Sequence, residues 1–415
     1  MSARSIPATD VVPGSGDVVP TAFAAPGLDR ATLALFLAFV GTLHFSIVIS
    51  QACLAAALVG AAIQIARTRE WPAVPAFAWP LVAYAVASLV SAAFSMDPAA
   101  SFQPLKKLFL FLIVPLAVHV ARGRRASSVI DVTLTLGGIS ALVGVIQYGV
   151  LEYNFLGQRP HGLLGHYMTY SGLVMLVICV AVGRLVFSPG QRTWPGLLMP
   201  ALVMALAVTF TRSAWVGACV GVGLLFLLRD FRLVAVLPIV VALVFALAPD
   251  GLTKRMMSMF DLRDPTNRDR VAMLETGVAI IRDHPLTGVG PNMIERVYPQ
   301  YRRPDAVQKV NPHLHNVPLQ IAAERGLVTL ATWLWFVVVL ARELWRLYRR
   351  QAGAGWTGER MLAATALAAV AAMLSAGMFE HNFGDSEFLM LFLVLVTLPF
   401  AALRPDDQAP ATRAA

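Results

Sequence analysis

Histidines and arginines are the residues of this chain best suited to chemistry. Their densest group is Asn311-Pro312-His313-Leu314-His315-Asn316, directly before a long apolar segment. Asn316 can cap a helix that starts there, and Pro318 is tolerated in its first turn. A histidine at a helix N-terminus has its imidazolium form disfavoured, so His315 is expected to be neutral and basic, as a general base must be. His313, two residues away, is a helper or a stand-in. Upstream, residues 249–316 carry ten Lys/Arg against eight Asp/Glu. Arg268 and Arg270 fall in the first turn of an expected helix, where cations oppose the helix dipole and a bound anion would relieve the conflict. Permanent cations suit a phosphate or pyrophosphate, which Arg and Lys neutralise directly. The spacing of His313 and His315 specifies no zinc site, and no HExxH or DxD pattern accompanies them. Metal-independent chemistry without a cofactor is therefore expected.

The elements that position these residues are membrane helices. The chain has 415 residues, 57% hydrophobic and 14% charged, whereas a soluble domain carries about 25% charged residues. Apolar stretches long enough to cross a bilayer recur along it. The expected fold is all-α, a polytopic integral membrane protein with about twelve transmembrane helices: 30–45, 47–66, 78–95, 104–121, 127–149, 167–187, 195–210, 213–228, 233–248, 317–341, 361–379 and 386–403. Thr42-Leu43-His44 and Thr209-Phe210-Thr211-Arg212-Ser213 divide two long apolar runs, because an arginine at mid-membrane is costly. Residues 1–27, rich in Pro, Gly, Ser and Thr, are expected to be a disordered cytoplasmic tail without a signal peptide. Residues 28–404 form one transmembrane domain, and 405–415 a second cytoplasmic tail.

Twelve spans place Arg4, Arg67, Arg69, Arg122, Arg124, Arg125, Arg184, Arg192, Arg229, Arg232, Arg342, Arg346, Arg349, Arg350 and Arg404 on one side, the cytoplasm. This retention pattern explains the formal charge of +9 without nucleic acid. Cys53, Cys179 and Cys219 lie in apolar segments and read as small hydrophobes. On the outer side lie Lys106, Lys107, Arg159, Arg212, the 249–316 loop and seven of the eight histidines, all but His119. His161 and His166 flank Gly162 and Gly165, while His381 and Asp385 share a short outer connection. These four could line a site, whereas Lys106 could instead snorkel to lipid headgroups.

The loop is too long for a simple connection and should carry structure of its own. Thr266 with Asp269 resembles a capping pattern. Val271, Leu274, Val278 and Ile281 form an apolar stripe expected to pack on the bundle. Pro285 should stop this helix, Gly288 and Gly290 should turn the chain, and Pro291 should open a second helix carrying Met293, Ile294, Val297 and Tyr298.

With those residues in view, the sequence resembles the O-antigen ligase and polymerase superfamily of bacterial envelope glycosyltransferases. The segment from Arg270 to His284-Pro285-Leu286-Thr287-Gly288-Val289-Gly290 is similar to that family's arginine, amphipathic helix and P-L-x-G-x-G run. His315-Asn316 followed by Gly326 is similar to the ligase pattern H-[NSQ]-x9-G-x-x-G, with Thr329 replacing the last glycine. Arg212 resembles the family's outer arginine between two spans. The resemblance implies a multi-pass protein of the bacterial inner membrane with a periplasmic active site. Its donor would be an undecaprenyl-pyrophosphate-linked O-antigen, its acceptor a hydroxyl of lipid A–core oligosaccharide, and membrane lipids its surroundings. His315, with His313, would handle the acceptor proton. Arg212, Arg270, Lys106 and Arg159, with Arg268 as an alternate, would hold the pyrophosphate. O-antigen polymerase and O-linked protein oligosaccharyltransferase are the alternatives within the superfamily. A lipid-linked glycan flippase or transporter is the non-enzymatic one, expected to show paired halves and a buried charge track that the sequence lacks, Glu324-Arg325 apart.

Overall fold

A computed structural model describes residues 26–405 except 154, 156, 248–249, 262, 305 and 351–357. The expected tails lie outside the described residues, save 26–27, which begin the first helix, and 405. Among the described residues the regular elements are all helices, with a single isolated bridge between Phe155 and Gln158. Each apolar segment anticipated from sequence contains a helix. Among the described residues, seven helices are long and apolar enough to cross a membrane: Ile47–Thr68, Pro98–Val120, Arg125–Gly149, Tyr167–Phe187, Arg212–Arg229, Val317–Arg350 and Gly358–Gly377. Ala78–Ala93, Thr193–Val208 and Ser386–Ala402 are shorter apolar helices. The two apolar runs break where their polar residues fall. The first helix ends at Thr42, and Ser46 caps the next by accepting from the Ile49 N–H. The second run turns through Phe210 at φ 54°, so that Arg212 heads a new helix.

Helices 167–187 and 386–402 are apolar on every side and almost wholly buried, so they form the centre of the bundle. The 358–377 helix packs on both and on 212–229, and the 317–350 helix packs between it and 78–93. Glycines set the closest approaches. A Cβ on Gly217 or Gly221 would meet backbone of the 358–377 helix at about 3 Å.

The 317–350 helix is broken at Gly326, at φ 80° and ψ 169°. The break frees backbone groups that would be costly to leave unpaired, and the 285–290 segment takes them up. The Val289 and Gly290 N–H groups donate to the Ala323 and Glu324 carbonyls at 3.0 and 2.8 Å, and the Leu327 N–H donates to the Pro285 carbonyl at 2.8 Å. Contact this close requires glycine on both sides. A Cβ on Gly326 would stand 1.9 Å from the Leu286 carbonyl oxygen, and one on Gly288 2.3 Å from the Glu324 carbonyl carbon. Ser91 and Ser101 tie the segment to the bundle by donating to the Thr287 and Pro291 carbonyls at 2.7 and 3.0 Å. Thr329, where the sequence pattern has glycine, donates its hydroxyl to the Arg325 carbonyl beside the break at 2.7 Å.

Three details of the loop differ from the sequence reading. Helix Pro265–Asp283 is capped by Asp264, which accepts from the Thr266 and Asn267 N–H groups, and Thr266 lies inside it. Its buried face is Asp269, Ala272, Met273, Thr276, Gly277 and Ile280, while Val271, Leu274 and Val278 are exposed. Gly277 decides the rotation, because a Cβ there would meet Leu319 and Leu314 at under 3 Å. The next helix opens at Ile294, after a turn containing Pro291. It does bury Ile294, Val297 and Tyr298 against Met273 and Ile280.

Candidate active site

Asn316 builds the first corner of the site. Its Oδ1 accepts from the Leu319 N–H at 2.9 Å, capping the 317–350 helix, and its Nδ2 donates to the Met378 carbonyl at 3.1 Å. The 311–316 segment is thereby fastened to the connection after Gly377. His315, at φ 47°, then presents its ring to that connection, with Nδ1 3.0 Å from Glu380 Oε1. The same oxygen accepts from the His381 N–H at 3.0 Å.

The neutral His315 expected from its place before a helix is not what this geometry favours. Burial works against the imidazolium, but the hydrogen bond to Glu380 and that residue's charge outweigh it, so the His315 pKa is raised above the usual 6.5. Burial pushes the Glu380 carboxyl up, and His315 outweighs it, holding the group below the usual carboxylate range. His313 and His381 go the other way. Their rings lie 5.1 Å apart. Burial lowers both pKa values, His315 adds to the effect on His313, and His313 adds to that on His381. The site thus holds one imidazole made more basic beside two kept neutral.

Arginines form the second corner. Arg212 is 4% exposed. Its Nη1 donates to the Ser258 carbonyl and hydroxyl at 3.0 and 3.2 Å, and its Nη2 stands 3.5 Å from Asp264 Oδ1. Its buried Nε has no hydrogen-bond partner among the described residues. Arg255 pairs with the other Asp264 oxygen at 3.9 Å, and its pKa is pushed down to about 10 by burial, then by Arg212 and Arg159. Burial also lowers Arg270 and Arg159, and the Arg212 charge adds to the shift in each. Arg270 Nη2 donates to the Phe379 carbonyl at 3.2 Å, with its guanidinium 5.7 Å from that ring. Arg212 and Arg255 share the one Asp264 carboxylate, and their charges together with those of Arg270 and Arg159 make a field that an anion would relieve.

Two cavities meet at this place. A groove of about 330 Å³ has apolar walls, Val216, Val271, Leu274 and Leu319 among them, and carries Arg212, Arg270 and His315. A larger cavity of about 620 Å³ is lined by His166, His313, His315, Glu380, His381 and Asp385 among others. His315 and Ser213 line both. Arg159 lines neither; its guanidinium lies 4.3 Å from the Tyr167 ring. Lys106, Arg268 and His161 also line neither. Lys106 and Arg268 are exposed, and His161 faces the Tyr153 ring. Lys107 lines the larger cavity instead and donates to the Gly384 carbonyl at 2.7 Å.

Sequence reasoning passed over Glu380, Arg255 and Lys107 as site residues. Glu380 had one signal, an acid beside His381 in a short outer connection. Among the described residues, no group of three His, Cys, Asp or Glu side chains is placed to hold a metal ion.

Residues 197–334 match the family model described as O-antigen ligase. That span includes Arg212, Arg255, Asp264, Arg270, both glycines of the helix break, His313 and His315. No curated protein matches the chain.

Proposed function

We propose that this chain, which belongs to the O-antigen ligase superfamily through its 197–334 segment, is a metal-independent O-antigen ligase. In this reading it moves a glycan from undecaprenyl pyrophosphate onto a hydroxyl of lipid A–core oligosaccharide, at the periplasmic face of the bacterial inner membrane. The observation that carries the reading is the placement of His315 between a guanidinium-headed apolar groove and a polar cavity.

The acceptor oxygen attacks the anomeric carbon, the bond from that carbon to the pyrophosphate oxygen breaks, and the acceptor proton passes to His315. Nδ1–H on Glu380 leaves Nε2 as the proton acceptor, so Glu380 fixes the tautomer and stabilises the imidazolium that forms. Negative charge grows on the departing pyrophosphate. Arg212 and Arg270 are set in place before the reaction, so they stabilise that charge more in the transition state than in the ground state. Arg255 and Arg159 strengthen the field, and Asp264 holds Arg212 and Arg255 together in the resting state. The apolar groove below Arg212 and Arg270 suits the first isoprene units of the carrier. Twelve spans, both termini cytoplasmic and the 249–316 loop outside, complete the reading.

Reconstitution of the purified protein with polyprenyl-pyrophosphate-linked glycan tests it. Offered lipid A–core, a second lipid-linked repeat or a protein acceptor separately, it should glycosylate lipid A–core, and it should do so in excess EDTA. Transfer to a lipid-linked repeat alone would make it a polymerase. Loss of activity with EDTA and recovery with magnesium would end the metal-independent account.

A further inference from the structure

The larger cavity has a chemical character opposite to that of the groove. Its carboxylates and permanent cations are Glu324, Glu380, Asp385 and Glu387 against Lys107 and Arg325, beside the imidazoles of His166, His313, His315 and His381. Most of these groups are already engaged. Glu380 holds His315, Asp385 caps the 386–402 helix and accepts from the Thr169 hydroxyl, Glu324 accepts from the Asn292 N–H, and Arg325 donates to the Tyr84 hydroxyl. Glu387 differs. Among the described residues no other residue hydrogen-bonds its carboxylate, which lines the cavity half-buried. Phe111 and Phe383 supply apolar wall between the charged groups.

We propose that this cavity receives the terminal sugar of the acceptor, and that this sugar is an uncharged, polyhydroxylated saccharide rather than a phosphorylated or carboxylated one. The inference rests on the transferase reading and adds the acceptor's chemical class to it. Carboxylates accept hydrogen bonds from sugar hydroxyls, and aromatic rings pack against the apolar faces of a sugar. A pyrophosphate would meet more carboxylates than cations here, so the donor's charged group belongs in the groove. A volume of about 620 Å³ is that of a small-molecule site and holds one or two sugar rings. His315 lines both cavities, so a hydroxyl of a sugar seated here reaches the imidazole while the donor's pyrophosphate lies in the groove with Arg212 and Arg270.

The test is direct binding to the full-length protein in lipid nanodiscs, followed by fluorescence anisotropy. The probes are tagged trisaccharides ending in glucose, galactose or a neutral heptose, each paired with the same saccharide carrying a terminal phosphate monoester. At least one neutral probe should bind at least about tenfold more tightly than its phosphorylated counterpart, because the phosphate would bring like charges together. Glu387→Gln should weaken neutral binding and narrow that ratio to about threefold or less, Glu387→Asp should keep most of it, and undecaprenyl pyrophosphate binding should change less than about twofold in either. Tighter binding of the phosphorylated probes, absence of binding by every neutral probe, or a ratio insensitive to Glu387→Gln would overturn the assignment. The two readings can fail separately. A protein that binds neutral saccharides in this way but transfers no glycan from polyprenyl pyrophosphate keeps the cavity assignment and loses the ligase reading. One that transfers preferentially to a phosphate-terminated saccharide keeps the ligase reading and loses the cavity assignment.

Discussion

The Nδ1 of His315 lies 3.0 Å from Glu380 Oε1, a contact between two residues separated by 65 positions in the chain. It reverses the protonation preference that the helix start alone would give His315. It also supplies a pH signature.

His315 must be unprotonated to accept the acceptor's proton, and Glu380 raises its pKa above 6.5. The rate of transfer should therefore climb with pH through that raised value and level off above it. In Glu380→Gln the imidazolium loses its carboxylate, so the midpoint should move to lower pH while the plateau rate falls by about tenfold or more. The kcat–pH profile of both proteins between about pH 5 and 9 checks this. An unchanged midpoint in Glu380→Gln would break the link between the pair and the reaction.

The arginines should separate by geometry. Arg212 reaches Ser258 and Asp264 with different atoms of its fork, so Arg212→Lys should lose about tenfold to a hundredfold in donor affinity, close to Arg212→Ala. Among the described residues Arg270 makes one hydrogen bond, to the Phe379 carbonyl, and Arg270→Lys should retain more than Arg270→Ala. Arg255→Ala should weaken donor binding by less than Arg212→Ala, since it acts as a neighbouring charge. Titration with undecaprenyl pyrophosphate ranks the variants. Equal tolerance of Lys at 212 and 270 would contradict the ordering.

Gly326→Ala and Gly288→Ala should each destabilise the protein by about 1–3 kcal/mol or more, because both need a left-handed backbone and touch another backbone. Their melting temperatures in detergent should fall and transfer should fall with them. Thr329→Gly restores the pattern's glycine at the cost of one hydroxyl bond to the Arg325 carbonyl, and should lower the melting temperature while leaving transfer measurable. A normally stable Gly326→Ala protein would refute the close docking of the 285–290 segment.

Orientation can be checked by labelling. In a protein freed of Cys53, Cys179 and Cys219, single cysteines at 260 and 300 should react with a membrane-impermeant maleimide from the periplasm, and one at 353 should not. The opposite pattern would overturn the span count and the side on which the site lies.

Much of the fold is legible because apolar runs of bilayer length and polar breaks such as Thr209-Phe210-Thr211 are local signals. Asn316 as a cap and Arg212 at a helix start are legible for the same reason. The partnership with Glu380 is not, since no local pattern links position 315 to 380. Arg255 looks like any of ten cations in its loop until Asp264 draws it toward Arg212. Lys107 rather than Lys106 faces the cavity because of helical register alone. The stripe Val271, Leu274 and Val278 misleads because Gly277 lets the opposite face of its helix come closer to Leu319. Small-residue contact outweighs hydrophobic periodicity there.

The central claim is that His315 handles the acceptor proton, and His315→Ala tests it most directly. Transfer, donor binding and thermal stability should be measured side by side in the same detergent. Transfer should fall about 10²–10⁴-fold, the range for losing a general base, while undecaprenyl pyrophosphate still binds within about twofold, since the guanidiniums remain. A stable, donor-binding His315→Ala protein with near-normal transfer would contradict the account and pass the role to His313.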